Sequence, residues 1–361
     1  MEIKLPRERT RRLKVGAVEV GGGAAVSVQS MTNTSTADAD ATLAQIERLA
    51  AVGCEIVRCS VPDNEAARAL CTICKHSPLP LVADIHFDHN LALAALDAGV
   101  QGLRVNPGTL GGERHVAQLA RALCVANVPV RIGINAGSME RSLVEKHGGV
   151  TPAAMLESAL GQARAFEEHG VTAIKLSLKA SNVGLTIAAY RLAAQNCDYP
   201  LHVGVTEAGT RFSGAIRSAV GIGVLLLEGI GDTIRVSLSG DPLPEVRAGW
   251  EILRAVGLRS RGISVVSCPT CARAAADVAA VAERLELELG DRTEPLEVAV
   301  MGCTVNGPGE CREADLGVVA RSADSWQLYV SGRLIGRIES DDPAQIARRI
   351  NEVIDSRDFG G

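Results

Sequence analysis

The sequence predicts an α/β protein in which a (β/α)8 TIM barrel is followed by a small α+β domain. From Ala24 to about Val256, short Val/Ile/Leu-rich segments alternate eight times with longer helix-period runs, the mark of βα units around a parallel sheet. Eight units in that length suit a closed barrel better than an open doubly wound sheet. From about Leu258 the alternation stops, which sets the expected domains at residues 1–257 and 258–361.

In chain order the strand segments are "AAVSVQSM", "EIVRCSV", "LPLVADI", "GLRVNPG", "PVRIGIN", "AIKLSLK", "LHVGVTE" and "TIRVSLSG". Helical runs such as "DATLAQIERLAAVG" and "PAAMLESALGQARAFEEHG" follow them. Ahead of the first strand, "VGGGAA" lacks the strand, GxGxxG and helix order of a dinucleotide fingerprint and reads as the turn of an N-terminal hairpin. The joint falls at "AVGLRSRG". Beyond it come "ISVVSCPTC", a long Ala-rich helix, "LEVAVMG", two short strands around "WQLYVSGRLIGRI" and a closing helix "PAQIARRINEVID".

Composition removes several function classes. A chain of 361 residues, 47% hydrophobic, suits two globular domains. A net charge of −5 with 2% aromatics offers neither a basic field nor stacking rings, so nucleic acid is not an expected partner. The longest apolar stretch, Ala219 to Leu227, is far below a membrane span, and the basic start "KLPRERTRRLKVG" has no apolar core of a signal behind it. A cytoplasmic protein without a membrane partner is expected. Ten cysteines there stay reduced. Cys54, Cys59, Cys124 and Cys197 read as small buried hydrophobes, and the Cys71/Cys74 pair of "LCTICKHS" as helix packing.

Five strands repeat an apolar residue, a cation, an apolar residue and a small or polar one: "VRCS", "LRVN", "VRIG", "IKLS" and "IRVS". Alternation across a strand puts Arg58, Arg104, Arg131, Lys175 and Arg235 on the same face as Ser60, Asn106, Gly133, Ser177 and Ser237. In a barrel that face is the interior, where unpaired charges are rarely buried. The in-chain anions, Asp84, Glu207 and Asp241, are too few. Either an internal salt-bridge network or a multiply charged ligand such as a diphosphate must complete the ring. The second is favoured, because sites of this fold lie at the C-terminal mouth and guanidinium forks match phosphate oxygens. Glu207, in "HVGVTEAG", is a counter-ion or a proton donor. "KASN" adds Lys179 and Asn182 at the rim, and Asp84 and His86, in "ADIHF", are placed to orient hydroxyls, with a structural role open for His86.

"SCPTCAR" and "MGCTVNGPGECREADLG" together offer Cys268, Cys271, Cys303 and Cys311, with Glu310 beside the last. Cys271 reads as opening the helix "CARAAADVAAVAERLEL", where the dipole suits the thiolates of an iron–sulfur centre. Zinc suits it too, although the second CxxC of a zinc ribbon is missing. A zinc-stapled barrel that binds a phosphorylated metabolite without catalysis is therefore the rival.

"SCPTC" with "MGCTVNGPGE", preceded by "VQSMTNT", "VADIHFD", "LRVNPG", "VRIGINAGS", "LHVGVTEAG" and "IRVSLSGDP", resembles the bacterial 4-hydroxy-3-methylbut-2-enyl-diphosphate synthases of the methylerythritol phosphate isoprenoid pathway. The resemblance runs from about residue 10 to 355. It implies a barrel joined to a 4Fe-4S iron–sulfur domain, with the cluster held by Cys268, Cys271, Cys303 and Glu310. It further implies substrate contacts at Arg58, Arg104, Asn106, Arg131, Asn135, Lys179, Arg235 and Ser237, an acid at Glu207, and a head-to-tail homodimer. The implied reaction is the reductive ring opening and dehydration of 2-C-methyl-D-erythritol 2,4-cyclodiphosphate, with electrons from reduced flavodoxin or ferredoxin. Glu310 is the preferred fourth ligand over Cys311, since a hard carboxylate can yield to substrate oxygen at a soft cluster. "NGPGE" reads as a turn that brings residue 310 inward, and in an extended segment Cys311 then faces away.

Overall fold

The N-terminal hairpin is built from alternating apolar residues. β1 (Leu13–Val15) pairs antiparallel with β2 (Val18–Val20) around Gly16 and Ala17, with Gly16 at φ 58°. Leu13, Val15 and Val20 pack on Ile56 and Val82. The turn is therefore not the "VGGGAA" segment the sequence suggested. Gly21, Gly22 and Gly23 instead follow β2 at φ 84°, 60° and 79°, and a Cβ on Gly21 would come 2.1 Å from the Arg11 carbonyl oxygen. Gly21 therefore serves a close backbone crossing.

The computed structural model describes residues 5–86, 88–106 and 112–356. The chain divides into two compact units, Met1–Arg259 and Ser260–Gly361. The first holds eight parallel strands: β3 (Ser27–Met31), β4 (Ile56–Ser60), β5 (Leu81–Asp84), β6 (Gly102–Val105), β7 (Val130–Asn135), β8 (Ile174–Lys179), β9 (His202–Val203) and β10 (Thr233–Ile234). Their order is β8-β7-β6-β5-β4-β3-β10-β9. A parallel bridge from Leu176 to Leu201 joins the two ends and closes the barrel. Each expected strand is present, but β9 and β10 stay regular for two residues only. Just beyond them the chains approach closely: an added Cβ on Gly204 would sit 2.4 Å from the Arg235 carbonyl oxygen.

Nine helices of this unit are described: α1 (Ala39–Ala51), α2 (Asn64–His76), α3 (His89–Asp97), α4 (Glu113–Ala126), α5 (Arg141–Lys146), α6 (Pro152–Glu167), α7 (Val183–Asn196), α8 (Arg211–Leu227) and α9 (Leu243–Ala255). Short polar residues set several starts. The side chains of Asp38, Asp63, Thr151 and Asn182 accept from the amides of Ala41, Ala66, Ala154 and Leu185, and each such cap contributes about 1 kcal/mol. Asn182 is thus engaged in capping α7 rather than lining the rim. Helix α2 buries Ala66, Ala67, Leu70 and Ile73, packs the half-buried Cys74 against the core and leaves Cys71 exposed. Trp250 donates to the Gly53 carbonyl (3.0 Å) and carries Arg259 over its ring, while Arg259 pairs with Glu55 at 2.8 Å.

In the second unit, β11 (Ser264–Ser267), β12 (Glu297–Met301), β13 (Leu316–Ser322), β14 (Ser325–Val330) and β15 (Arg333–Glu339) form one sheet in chain order. The first three strands are parallel and the last two antiparallel. Helices α10 (Val278–Leu289) and α12 (Pro343–Ser356) cover one face through Leu285, Ile346 and Ile350, which meet Val298, Val318 and Leu328. α11 (Gly307–Glu313) covers the other face. Two expectations fail here. Helix α10 begins at Val278, capped by Asp277, and not at Cys271, because Ala275 donates its amide to Gly302 and holds the intervening residues in a turn. "NGPGE" is not an extended turn either: Pro308 needs no amide donor in a first helical turn, so the segment winds into α11. Among the described residues no helix is long and apolar enough to cross a membrane.

Candidate functional site

The strand register places the cations. Arg104 stands level with Arg131, and Arg131 with Lys175. These residues are only 6%, 4% and 4% exposed, and Lys179, level with Asn135, is 8% exposed. Arg58 on β4 and Arg235 just past β10 complete the ring. Asp84 answers part of this charge: its Oδ1 accepts from Arg104 Nη1 at 3.0 Å and its Oδ2 lies 3.6 Å from Arg58 Nε. Glu245 answers another part, 3.3 Å from Arg235 Nη2, and also accepts from the Ser30 hydroxyl and the Leu238 amide.

Two expected counter-ions do not take part. Asp241 is exposed and accepts from the Leu243 amide (3.2 Å), since it lies in the loop ahead of α9. Glu245 replaces it because it sits on the buried face of that helix with Val246 and Gly249. Glu207 is exposed, pairs with no cation among the described residues, and stands at φ 52°. That left-handed conformation costs a residue with a Cβ roughly 1–2 kcal/mol, and such strain gathers at functional positions.

Burial governs the electrostatics. Desolvation first, then the like charge of neighbours, pulls Arg131 and Lys179 well below their usual values, Arg58 to about 10 and Lys175 to about 7. Burial pushes the Asp84 carboxyl up, but Arg58, His86 and Arg104 outweigh it and hold the group far below the usual carboxylate range. Donors are left over. Arg131 Nε, Arg235 Nε and Gln29 Nε2 are buried without a partner, and neither Lys175 nor Lys179 has a hydrogen-bond partner among the described residues. Surplus donors and surplus positive charge together call for a ligand with several anionic oxygens.

The remaining expected contacts fall around this ring. His86 Nε2 accepts from Arg104 Nη1 at 2.8 Å and so helps to aim that fork. Asn106 is buried just past β6, and Asn135 and Ser237 are half-buried at their strand ends. Two glycines make room for the cations: a Cβ on Gly133 would lie 2.7 Å from Arg104 Nε, and one on Gly204 would lie 2.7 Å from Lys179 Nζ.

In the second unit the thiols follow the ends of neighbouring parallel strands. Cys268 comes directly after β11, and Cys303 two residues after β12. Cys268 Sγ accepts from the Gly302 amide at 3.2 Å. The amides of Val305 and Asn306, and then Arg273, draw the Cys303 thiol below its usual range. Cys271 is exposed in the turn between β11 and α10. On α11, Glu310 is exposed while Cys311 is fully buried against Met301, Val319 and Tyr329. Burial pushes the Cys311 thiol up to about 12. Among the described residues, no three His, Cys, Asp or Glu side chains converge closely enough to hold a metal ion. The donors nevertheless fit a soft cluster, because an amide reaches the Cys268 sulfur and the Cys303 thiol is drawn below its usual range.

Residues 10–250 match the family model described as GcpE TIM-barrel domain, and residues 264–355 match that of the GcpE protein C-terminal domain. The chain belongs to the GcpE family. A Geobacter sulfurreducens relative named 4-hydroxy-3-methylbut-2-en-1-yl diphosphate synthase (flavodoxin) is 55% identical over 94% of this chain and 96% of its own. Relatives of the same name from Lawsonia intracellularis and Parafrankia are each 50% identical over 96% of this chain, covering 97% and 89% of their own lengths.

Sequence reasoning missed several residues of this GcpE barrel. Gln29, in "SVQSM", accepts from Arg131 Nη1 at 3.2 Å, and its period-2 position on β3 could have revealed it. Met31 Sδ receives Arg58 Nε and Nη2 at 3.1 and 2.8 Å, a weak acceptor that a ligand oxygen can displace. His202 is fully buried, its Nδ1 2.8 Å from the Thr233 hydroxyl and its Nε2 unpartnered. Desolvation, then Arg131 and the lysines, pull it well below its usual value, so it stays neutral. No spacing signal marks Glu245 or His202.

Proposed function

We infer that this GcpE chain is a 4-hydroxy-3-methylbut-2-en-1-yl diphosphate synthase. It opens the ring of 2-C-methyl-D-erythritol 2,4-cyclodiphosphate reductively, with loss of water, to give (E)-4-hydroxy-3-methylbut-2-enyl diphosphate. The carrying observation is the ring of buried, under-neutralised cations, which suits a cyclic diphosphate and complements near-full-length identity to the named relatives.

Arg58, Arg104, Arg131, Lys179 and Arg235 bind the phosphate oxygens, with Asn106, Asn135 and Ser237 at the rim. Asp84 and His86 hold the Arg104 fork before the ligand arrives, which lowers the ordering cost of binding. The strained Glu207 delivers a proton to the hydroxyl that leaves as water. Cys268, Cys271, Cys303 and Glu310 are proposed to hold a 4Fe-4S cluster, Glu310 being the exchangeable ligand. When bound, that group supplies two electrons singly, received from reduced flavodoxin or ferredoxin. The enzyme is further proposed to act in the cytoplasm as a head-to-tail homodimer.

Anaerobically purified protein should carry about four irons and four sulfides per chain and convert the cyclic diphosphate when given reduced flavodoxin. One tightly held zinc without sulfide, and binding without turnover, would overturn this function in favour of a zinc-stapled binding protein.

A further inference from the structure

A small cavity of about 10 Å3 lies at the N-terminal end of the barrel, beneath the hairpin. That is about the room needed for one water-sized particle. Val15, Val82 and Leu103 supply apolar wall, and the polar lining comes from Gln29, Arg131 and Lys175. All three polar residues are more than nine-tenths buried.

The wall is mostly apolar, and the side chains of its small polar part are donors. The Gln29 carbonyl oxygen is already occupied by Arg131 Nη1, which leaves Gln29 Nε2 and Arg131 Nε buried and unpartnered. The Lys175 ammonium brings three more N–H groups and has no hydrogen-bond partner among the described residues. The acidic group felt by Lys175 is Asp232, but its two oxygens are engaged elsewhere, by the Thr10 hydroxyl at 3.0 Å and the Leu201 amide at 2.7 Å. Among the described residues no carboxylate lines the cavity. Water has two lone pairs and cannot serve all of these donors. A monatomic anion accepts from every direction and also offsets one of the two buried positive charges.

We propose that the barrel floor holds a structural halide ion, bound between Lys175, Gln29 and Arg131. It would act as a fixed counter-ion that lets the floor carry two buried cations before substrate reaches the mouth. The floor cavity shares Arg131 with the proposed substrate ring, whereas Lys175 and Gln29 line the cavity and are not among the residues proposed to bind the phosphate oxygens.

The test uses the full-length protein as isolated, without substrate. Its thermal midpoint is measured in sodium bromide or chloride against sodium gluconate at equal ionic strength, and crystals grown in bromide are examined by anomalous scattering. A bound halide should raise the midpoint by roughly 3–5 °C per tenfold rise above its dissociation constant, and one bromide peak should appear between Lys175 and Gln29. Lys175→Met should lose the halide response because one of the two buried charges and three of the donors are gone. Gln29→Glu should also lose it, while remaining folded, because its carboxylate replaces the ion. No halide-specific rise in the wild type, an ordered water in place of bromide, or an unchanged response in both variants would each overturn the site.

Discussion

Gly204 leaves the space that the Lys179 ammonium occupies: a Cβ there would stand 2.7 Å from Nζ and 2.4 Å from the carbonyl oxygen of Arg235. The inward position after β9 is therefore empty so that a cation from β8 can fill it. Gly133 plays the same part for Arg104, but its obstacle is the movable end of a side chain.

These two glycines should respond differently to alanine. Gly133→Ala should fold with stability within about 1 kcal/mol of the wild type, a typical limit for a tolerated change, yet bind the cyclic diphosphate weakly because Arg104 is displaced. Gly204→Ala must also move backbone, so its midpoint should fall well below that of Gly133→Ala. Chemical denaturation and substrate titration of both variants measure the contrast, and equal stability losses would contradict the geometry.

Arg131 is expected to trade stability for binding. It is buried, under-neutralised and surrounded by like charge, so Arg131→Met should leave the substrate-free protein as stable as the wild type or more so. The lost charge-assisted contact should cost roughly 1.5–3 kcal/mol of substrate affinity, about a ten- to hundredfold rise in dissociation constant. The iron–sulfur absorption should not change. Calorimetry and spectra of one preparation test both halves.

Lys175 makes a stability prediction with a definite sign. Burial takes it from 10.5 to about 7, so between those values the unfolded chain holds a proton that the folded chain lacks. Stability in gluconate should therefore rise with pH from about 7 towards 10, at up to about 1.4 kcal/mol per unit. Lys175→Met should flatten that rise. Denaturant midpoints at matched ionic strength settle it, and parallel slopes for the two proteins would exclude Lys175 as the source.

Glu310 and Cys311 should separate cleanly. Glu310 is exposed on α11 and Cys311 is buried against Gly317, where a Cβ would lie 2.1 Å from the thiol sulfur. Glu310→Ala should yield a labile or incomplete cluster with almost no turnover. Cys311→Ser should keep iron, sulfide and activity, losing about 1–2 kcal/mol of stability for a poorly paired buried hydroxyl. The reverse pattern would make the site a four-cysteine one.

Subunit exchange checks the proposed homodimer. Arg235→Ala and Cys303→Ser chains, each inactive alone, should regain about a quarter of wild-type turnover when mixed and allowed to exchange, as statistical pairing in a dimer predicts. No recovery from verified mixed dimers would show that one chain supplies both sets of residues.

The linear pattern alone was enough for the barrel and for its cations. A period of two along eight short strands determines which side of each strand meets the core, and "LRVN", "VRIG" and "IKLS" repeat it plainly enough to place Arg104, Arg131 and Lys175 together inside. Partners far apart in sequence were decided by closure of the sheet. Gln29 meets Arg131 across the barrel, 102 positions away, and even the nearby Glu245 reaches Arg235 only because α9 folds back onto its own strand. In the second unit, Gly and Pro carry opposite meanings in a turn and in a first helical turn. Packing of Gly307 against Val319 and Met301 is what selects the helix there. The same packing sends Cys311 inward and leaves Glu310 outside, a choice between adjacent residues that no local spacing could make.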